Sequence, residues 1–87
     1  SHLLPRQHIR RGAPVNAIVA LGPDHVVYAA SGVLTLIISR TNQDYAVALT
    51  IDLDADVLAL AIHGGSTLVA ATRLGLVVLD LPRSWTP

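Results

Sequence analysis

The sequence predicts an all-β protein built from two copies of one strand-rich unit, and three observations predict it. Residues 15–38, VNAIVALGPDHVVYAASGVLTLII, slide onto residues 57–81, VLALAIHGGSTLVAATRLGLVVLDL, with an offset of 42. Val15 then meets Val57, Ala17 meets Ala59, Gly22 meets Gly64, Val27 meets Val69 and Ala29 meets Ala71; one extra residue in the second copy brings Gly32 onto Gly75. The apolar runs are six to eight residues long, rich in Val, Ile and Leu, and separated by Gly or Pro, which suits strands and is too short for stable helices. Hydrophobic residues make up 52% of the 87, while only Tyr28, Tyr45 and Trp85 are aromatic, so the core is aliphatic.

Residues 1–14 are a polar N-terminal tail with Arg6, Arg10 and Arg11, bracketed by Pro5 and Pro14. Within it, 7–11 alternates His8 and Arg10 with Ile9 and is expected as an edge strand, a place that tolerates charge and proline. Residues 15–21 make the first full strand, and Gly22-Pro23-Asp24 turns the chain, glycine freeing φ and proline fixing it. Residues 25–30 follow, then a turn at Ser31-Gly32. The third strand, 33–39, is apolar on both faces apart from Thr35, which predicts a strand covered on both sides. A polar loop, 40–43, leads to a fourth strand at 44–51 and an acidic connection carrying Asp52, Asp54 and Asp56. The second copy supplies strands at 57–62, 67–72 and 76–81, with turns at Gly64-Gly65-Ser66 and Arg73-Leu74-Gly75. A proline-flanked tail with Trp85 ends the chain. The expected units are therefore the tail (1–14), a first repeat (15–56), and a second repeat with the C-terminal tail (57–87).

Four strands in about 40 residues, with a turn after each, is the period of a β-propeller blade. The second copy resembles a WD40-type repeat: strand 57–62, the turn His63-Gly64-Gly65-Ser66, strand 67–72, Gly75, and strand 76–81 follow that order. Leu79-Asp80 stands where the Trp-Asp pair would be, Ile37-Ile38 stands there in the first copy, and His63-Gly64 reverses the usual Gly-His order. The resemblance covers 15–81 and implies two four-stranded antiparallel blades, with 44–51 as the outer strand of the blade begun at Val15, 7–11 as the outer strand of a preceding blade, and 76–81 lacking its outer neighbour. Two blades cannot close a ring, since each buries its faces against neighbours. Closure would come from a longer chain, or from assembly of three or four copies with 7–11 of one pairing beside 76–81 of the next. The alternative is a small β-barrel or sandwich.

Composition excludes several roles. There is no cysteine, hence no disulfide scaffold and no thiolate metal site. All six basic residues are Arg, all six acidic residues are Asp, and the formal net charge is zero. Zero charge with much apolar content suggests a surface covered by another chain. No aromatic platform interleaves Arg6, Arg10 and Arg11, so nucleic-acid binding is not expected. The N-terminus carries no apolar leader-like run, and no stretch reaches the ~18–20 apolar residues of a membrane span, so the expectation is a cytoplasmic setting with no membrane partner.

Candidate sites are few. Asp52, Asp54 and Asp56 alternate and would share one face of a strand, an arrangement that suits calcium. The bending glycine and closing glutamate of a calcium loop are absent, and the offset sets Arg10 opposite Asp52, so pairing with Arg10 and Arg11 or plain solvation is expected. His8, His25 and His63 have no partner at metal-ligand spacing and read as turn histidines, while Ser31 and Ser66 lie in no nucleophile-elbow pattern. Gly64-Gly65-Ser66 leads into no helix and is a turn rather than a phosphate loop. No catalytic residue, metal or cofactor is expected. The WD40-like resemblance implies a non-enzymatic protein-interaction or scaffold module, whose partner is another protein, further blades, or copies of itself as a trimer or tetramer. The expected contact residues are Arg10, Arg11, Asp80 and Trp85, with the edges 7–11 and 76–81 around them. An oligomeric small-molecule or carbohydrate-binding propeller is the alternative, against which Tyr28 aligns with Ala70 and Tyr45 with Leu3.

Overall fold

The short aliphatic runs form strands where the sequence places them. The computed structural model describes residues 7–9, 13–39 and 44–81. Among these, β1 (Val15–Ala20), β2 (His25–Ala30), β3 (Val33–Ser39) and β4 (Tyr45–Asp52) form one antiparallel sheet in that order. β5 (Val57–His63), β6 (Thr67–Thr72) and β7 (Gly75–Asp80) form a second. Neither sheet closes into a barrel. The expected second sheet of four strands is a sheet of three among the described residues. β4 lies beside β3, the place the offset repeat requires. Residues 7–9 of the expected N-terminal edge strand are not strand.

The repeat is written into the register. Every β1–β2 and β2–β3 pairing recurs in β5–β6 and β6–β7 at an offset of 42: Ile18 opposite Tyr28 becomes Leu60 opposite Ala70, and Val26 opposite Ile37 becomes Leu68 opposite Leu79. A bulge breaks β1 between Val15 and Ala17 and β5 between Val57 and Ala59, so even this irregularity is copied. The Ser39 amide donates to the Asp24 carbonyl at 2.8 Å, and the Leu81 amide donates to the Ser66 carbonyl at 2.8 Å, again 42 residues apart.

The offset never changes, which corrects the inserted residue. Ala30 pairs with Val33 and Thr72 with Gly75, so Gly32 corresponds to Leu74 rather than to Gly75. The two turns are equal in length and unlike in construction. Ser31 holds the positive φ (56°) of the first, whereas in the second the Thr72 hydroxyl accepts from the Leu74 amide (3.1 Å) and donates to the Gly75 carbonyl (2.8 Å), with Gly75 at φ 128°. Gly32 serves another purpose. A Cβ there would lie 2.9 Å from the Ala55 carbonyl oxygen and 3.1 Å from its nitrogen, so the β2–β3 turn and the 53–56 connection touch backbone to backbone. Two hydrogen bonds fix that contact: the Leu53 amide to the Gly32 carbonyl (2.8 Å) and the Val57 amide to the Ser31 carbonyl (3.0 Å).

The sheets pack face to face and approach most closely at β1 and β5. Between them lies the main core: Val27 and Ala29 of β2, Leu34 and Leu36 of β3, Val57, Leu68 and Ala70, with Leu21 beside them. A smaller cluster of Tyr28, Ala30 and Ile37 covers the other face of the first sheet, where Ile9 and Ala13 of the N-terminal segment pack on it. β3 is therefore buried on both faces from Leu34 to Ile37, as its two-sided apolar sequence predicts. No helix among the described residues is long and apolar enough to cross a membrane.

Candidate interaction surfaces

Residues paired across neighbouring strands share a face, so the register sorts every side chain. In the first sheet the rows Ala17–Ala29–Leu34 and Val19–Val27–Leu36 point into the main core, while Ile18–Tyr28–Thr35 and Ala20–Val26–Ile37 point outward. In the second sheet the inward rows are Leu60–Ala70–Val77 and Ile62–Leu68–Leu79. Adding 42 to the inward rows of the first sheet gives Ala59–Ala71–Leu76 and Ala61–Val69–Val78, which are the outward rows of the second. Unlike faces meet: the front of one sheet packs on the back of the next.

This leaves an apolar sheet face in solvent. Leu58 (52% exposed), Leu76 (73%) and Val78 (63%) lie on the outside of the second sheet, with Ala59 and Ala61 exposed beside them. The counterparts of Leu76 and Val78 in the first sheet, Leu34 and Leu36, are each 2% exposed. β7 also has one unpaired edge among the described residues. Leu49 of β4 shares the inward face with Leu36 yet stays exposed, and the second sheet has three strands among the described residues to the first sheet's four.

The outer face of the first sheet is partly covered. The Gln7 side-chain amide donates to the Tyr45 carbonyl and accepts from the Tyr45 amide, both at 2.9 Å, so one side chain imitates a strand neighbour at the open edge of β4. Next to it a hollow of about 360 Å³ is lined by Ile9, Val15, Ile18, Tyr28, Ile37 and Tyr45. The buried Tyr28 hydroxyl has no hydrogen-bond partner among the described residues. On the strand nearest the second sheet, Ile18 and Val15 remain 66% and 53% exposed.

A second hollow, about 510 Å³, sits at the rim where the β2–β3 turn meets the 53–56 connection, and its lining includes Asp52, Asp54, Asp56 and Arg73. The three carboxylates do not form the one-sided row their alternation suggests. Asp52 ends β4, its Oδ1 accepts from the Asp54 amide at 2.8 Å, and Asp54 takes a left-handed φ of 59°, which turns the chain. Asp56 faces Arg73 at 3.5 Å, an exposed pair worth about 0–1 kcal/mol. No group of three or more His, Asp or Glu among the described residues is arranged to hold a metal ion.

Of the residues singled out from sequence, Asp80 is exposed at the end of β7, in a row with Thr67 and His63 on the outer face of the second sheet. Arg10, Arg11 and Trp85 lie outside the described residues, so the proposed Arg10–Asp52 pairing does too. His25 and His63 sit at a strand start and a strand end beside their turns, and Ser66 lies within one. The Gln7–Tyr45 clasp, the Arg73–Asp56 pair and the Gly32 contact carry no sequence signal beyond residue type. No family model matches the chain, and neither a curated protein nor a solved structure matches it.

Proposed function

We propose that this chain is a non-enzymatic protein-interaction module made of propeller-type blades, whose sheets are completed by further blades in a longer chain or in other copies. The observation that carries the reading is the meeting of unlike faces. Had like faces met, the pair would close on itself. A head-to-tail contact instead leaves one front and one back open, and repeats until a ring closes. The close approach at β1 and β5, the copied bulges and the constant offset all fit one rigid unit used twice. Energetics point the same way. Burying what Leu58, Leu76 and Val78 leave in water is worth about 3–6 kcal/mol, at ~1.5–3 kcal/mol per fully buried side chain. That is a large share of the stability available to a domain this small.

The hollow beside Tyr28 and Tyr45 favours a second reading, a small-molecule or carbohydrate-binding propeller. Ala70 stands at the position equivalent to Tyr28, so the aromatic is not repeated from sheet to sheet, and the interaction reading is preferred. Light scattering behind a sizing column, across a concentration series, tests the proposal. A fixed assembly supports completion by copies, and an isolated chain that aggregates supports completion by a longer chain. A cooperatively folded monomer at every concentration overturns it.

A further inference from the structure

We propose that the outer face of the second sheet docks onto the outer face of the first sheet in a second copy of this chain, by the same relation that joins the two sheets within one copy. The inference rests on the head-to-tail reading and commits it to one occupant. The face already used inside the chain is the template. Its rows Ala17–Ala29–Leu34 and Val19–Val27–Leu36 recur on the open face as Ala59–Ala71–Leu76 and Ala61–Val69–Val78. The first row is identical in residue type, and the second keeps small or β-branched groups where Val and Leu stood. What packs against the template is the inward face of the second sheet, whose counterpart is the outward face of the first.

That receiving face is open along β1 and covered farther across, where Tyr28, Thr35 and Ile37 are buried and Ile9 and Ala13 pack on the Tyr28 cluster. Within the chain the sheets approach most closely at β1 and β5, and Val57 of β5 is fully buried. The counterpart of Val57 is Val15, and that of Leu60 is Ile18, both on β1 and both largely in solvent. Gln7 and Ile9 lie toward Tyr45 and the Tyr28 cluster, so the described part of the N-terminal segment covers the far side of the face, while Val15 and Ile18 on β1 stay largely in solvent. Asp80, Thr67 and His63 fall at the end of the docking face, one row beyond the apolar ones, where a polar border belongs.

The test is complementation between two damaged faces. Ile18→Asp spoils the receiving face and Leu76→Asp the docking face, and both side chains are largely in solvent in the single chain, so the fold should survive. Sedimentation should find wild type assembled and each variant alone monomeric, with affinity down at least tenfold. An equimolar mixture should form a one-to-one pair through the one intact interface. A variant that still self-associates like wild type, or a mixture that forms no pair, overturns the inference and leaves the interaction-module reading standing. A monomeric, cooperatively folded wild type overturns both. Should either aspartate variant fail to fold, single-cysteine variants decide, since the chain has no cysteine of its own. Ile18→Cys mixed with Leu76→Cys should cross-link through a short bis-maleimide into mixed dimers. Cross-linking of either variant only with itself means that like faces meet, and refutes the inference.

Discussion

Replacing Gly32 with alanine puts the contact between the β2–β3 turn and the 53–56 connection to a test of sign. Gly32 does not occupy the left-handed region, so alanine is compatible with its backbone. Without a close neighbour the substitution would stiffen the unfolded chain and stabilise the protein by about 0.4–1 kcal/mol. The structure says otherwise. The new methyl would meet the Ala55 oxygen, nitrogen and carbonyl carbon at 2.9, 3.1 and 3.2 Å, and all three belong to backbone, which cannot swing aside as a side-chain tip can. Forcing a methyl into such a place costs about 1–3 kcal/mol. If the connection retreats, the Leu53–Gly32 or Val57–Ser31 hydrogen bond lengthens as well, at about 0.5–1.5 kcal/mol each. The net expectation, after the unfolded-state gain is subtracted, is a loss of about 0.5–4 kcal/mol, against the roughly 4–13 kcal/mol that a chain of 87 residues has in total.

Urea unfolding at fixed protein concentration measures this, and at a slope near 1–1.5 kcal/mol/M the midpoint should fall by about 0.3–4 M. Leu74 is the built-in control. It occupies the equivalent turn position and is 84% exposed, so Leu74→Ala should stay within about 0.5 kcal/mol. An unchanged or raised midpoint for Gly32→Ala would refute the packing that joins the first sheet to the start of the second.

Tyr28→Phe removes a buried hydroxyl that has no partner among the described residues, so it should be neutral or raise stability by up to about 1–2 kcal/mol; a clear loss in thermal unfolding would mean that the hydroxyl is bonded. Gln7→Ala deletes both bonds to Tyr45 and should speed hydrogen exchange at the Tyr45 amide at least tenfold while protection at Leu36 is unchanged; equal loss at both sites would contradict a local clasp. Arg73→Ala should cost no more than about 0.5–1 kcal/mol, and less at high salt, because the Asp56 pair is exposed; a larger, salt-insensitive loss would show a different role for Arg73.

Strand positions were legible because each run is short, β-branched and closed by Gly, Pro or a polar pair, which leaves the chain little else to form. The seven strands expected from residue 15 onward all occur, with ends that differ by at most one residue. What failed was finer. Glycines drew the two copies into a false one-residue insertion, since sequence cannot distinguish a glycine kept for φ, such as Gly75, from one kept for space, such as Gly32. The alternating aspartates suggested one face, but Asp54 sits at positive φ, which the Asx turn from Asp52 permits and a spacing rule does not detect. Residues 7–11 looked like an edge strand on alternation alone, whereas Gln7 reaches the edge of β4 through its side chain and residues 7–9 stay irregular.

The face that each sheet buries was the least legible feature, and the most consequential. In VLALAI both parities are apolar, so Ala59 and Ala61 compete with Leu60 and Ile62 for the core, and alternation cannot choose. The sheet that each face packs on decides. In β5, Leu60 and Ile62 pack on the core shared with the first sheet, and the alanines face outward. In β1 the same parity rule gives the opposite result: Ala17 and Val19 face in, and Ile18 faces out. Two copies of one unit thus bury opposite faces. The chain is left with an exposed Ile18 at one end and an exposed Leu76 at the other, two apolar faces that the same packing relation would bring together.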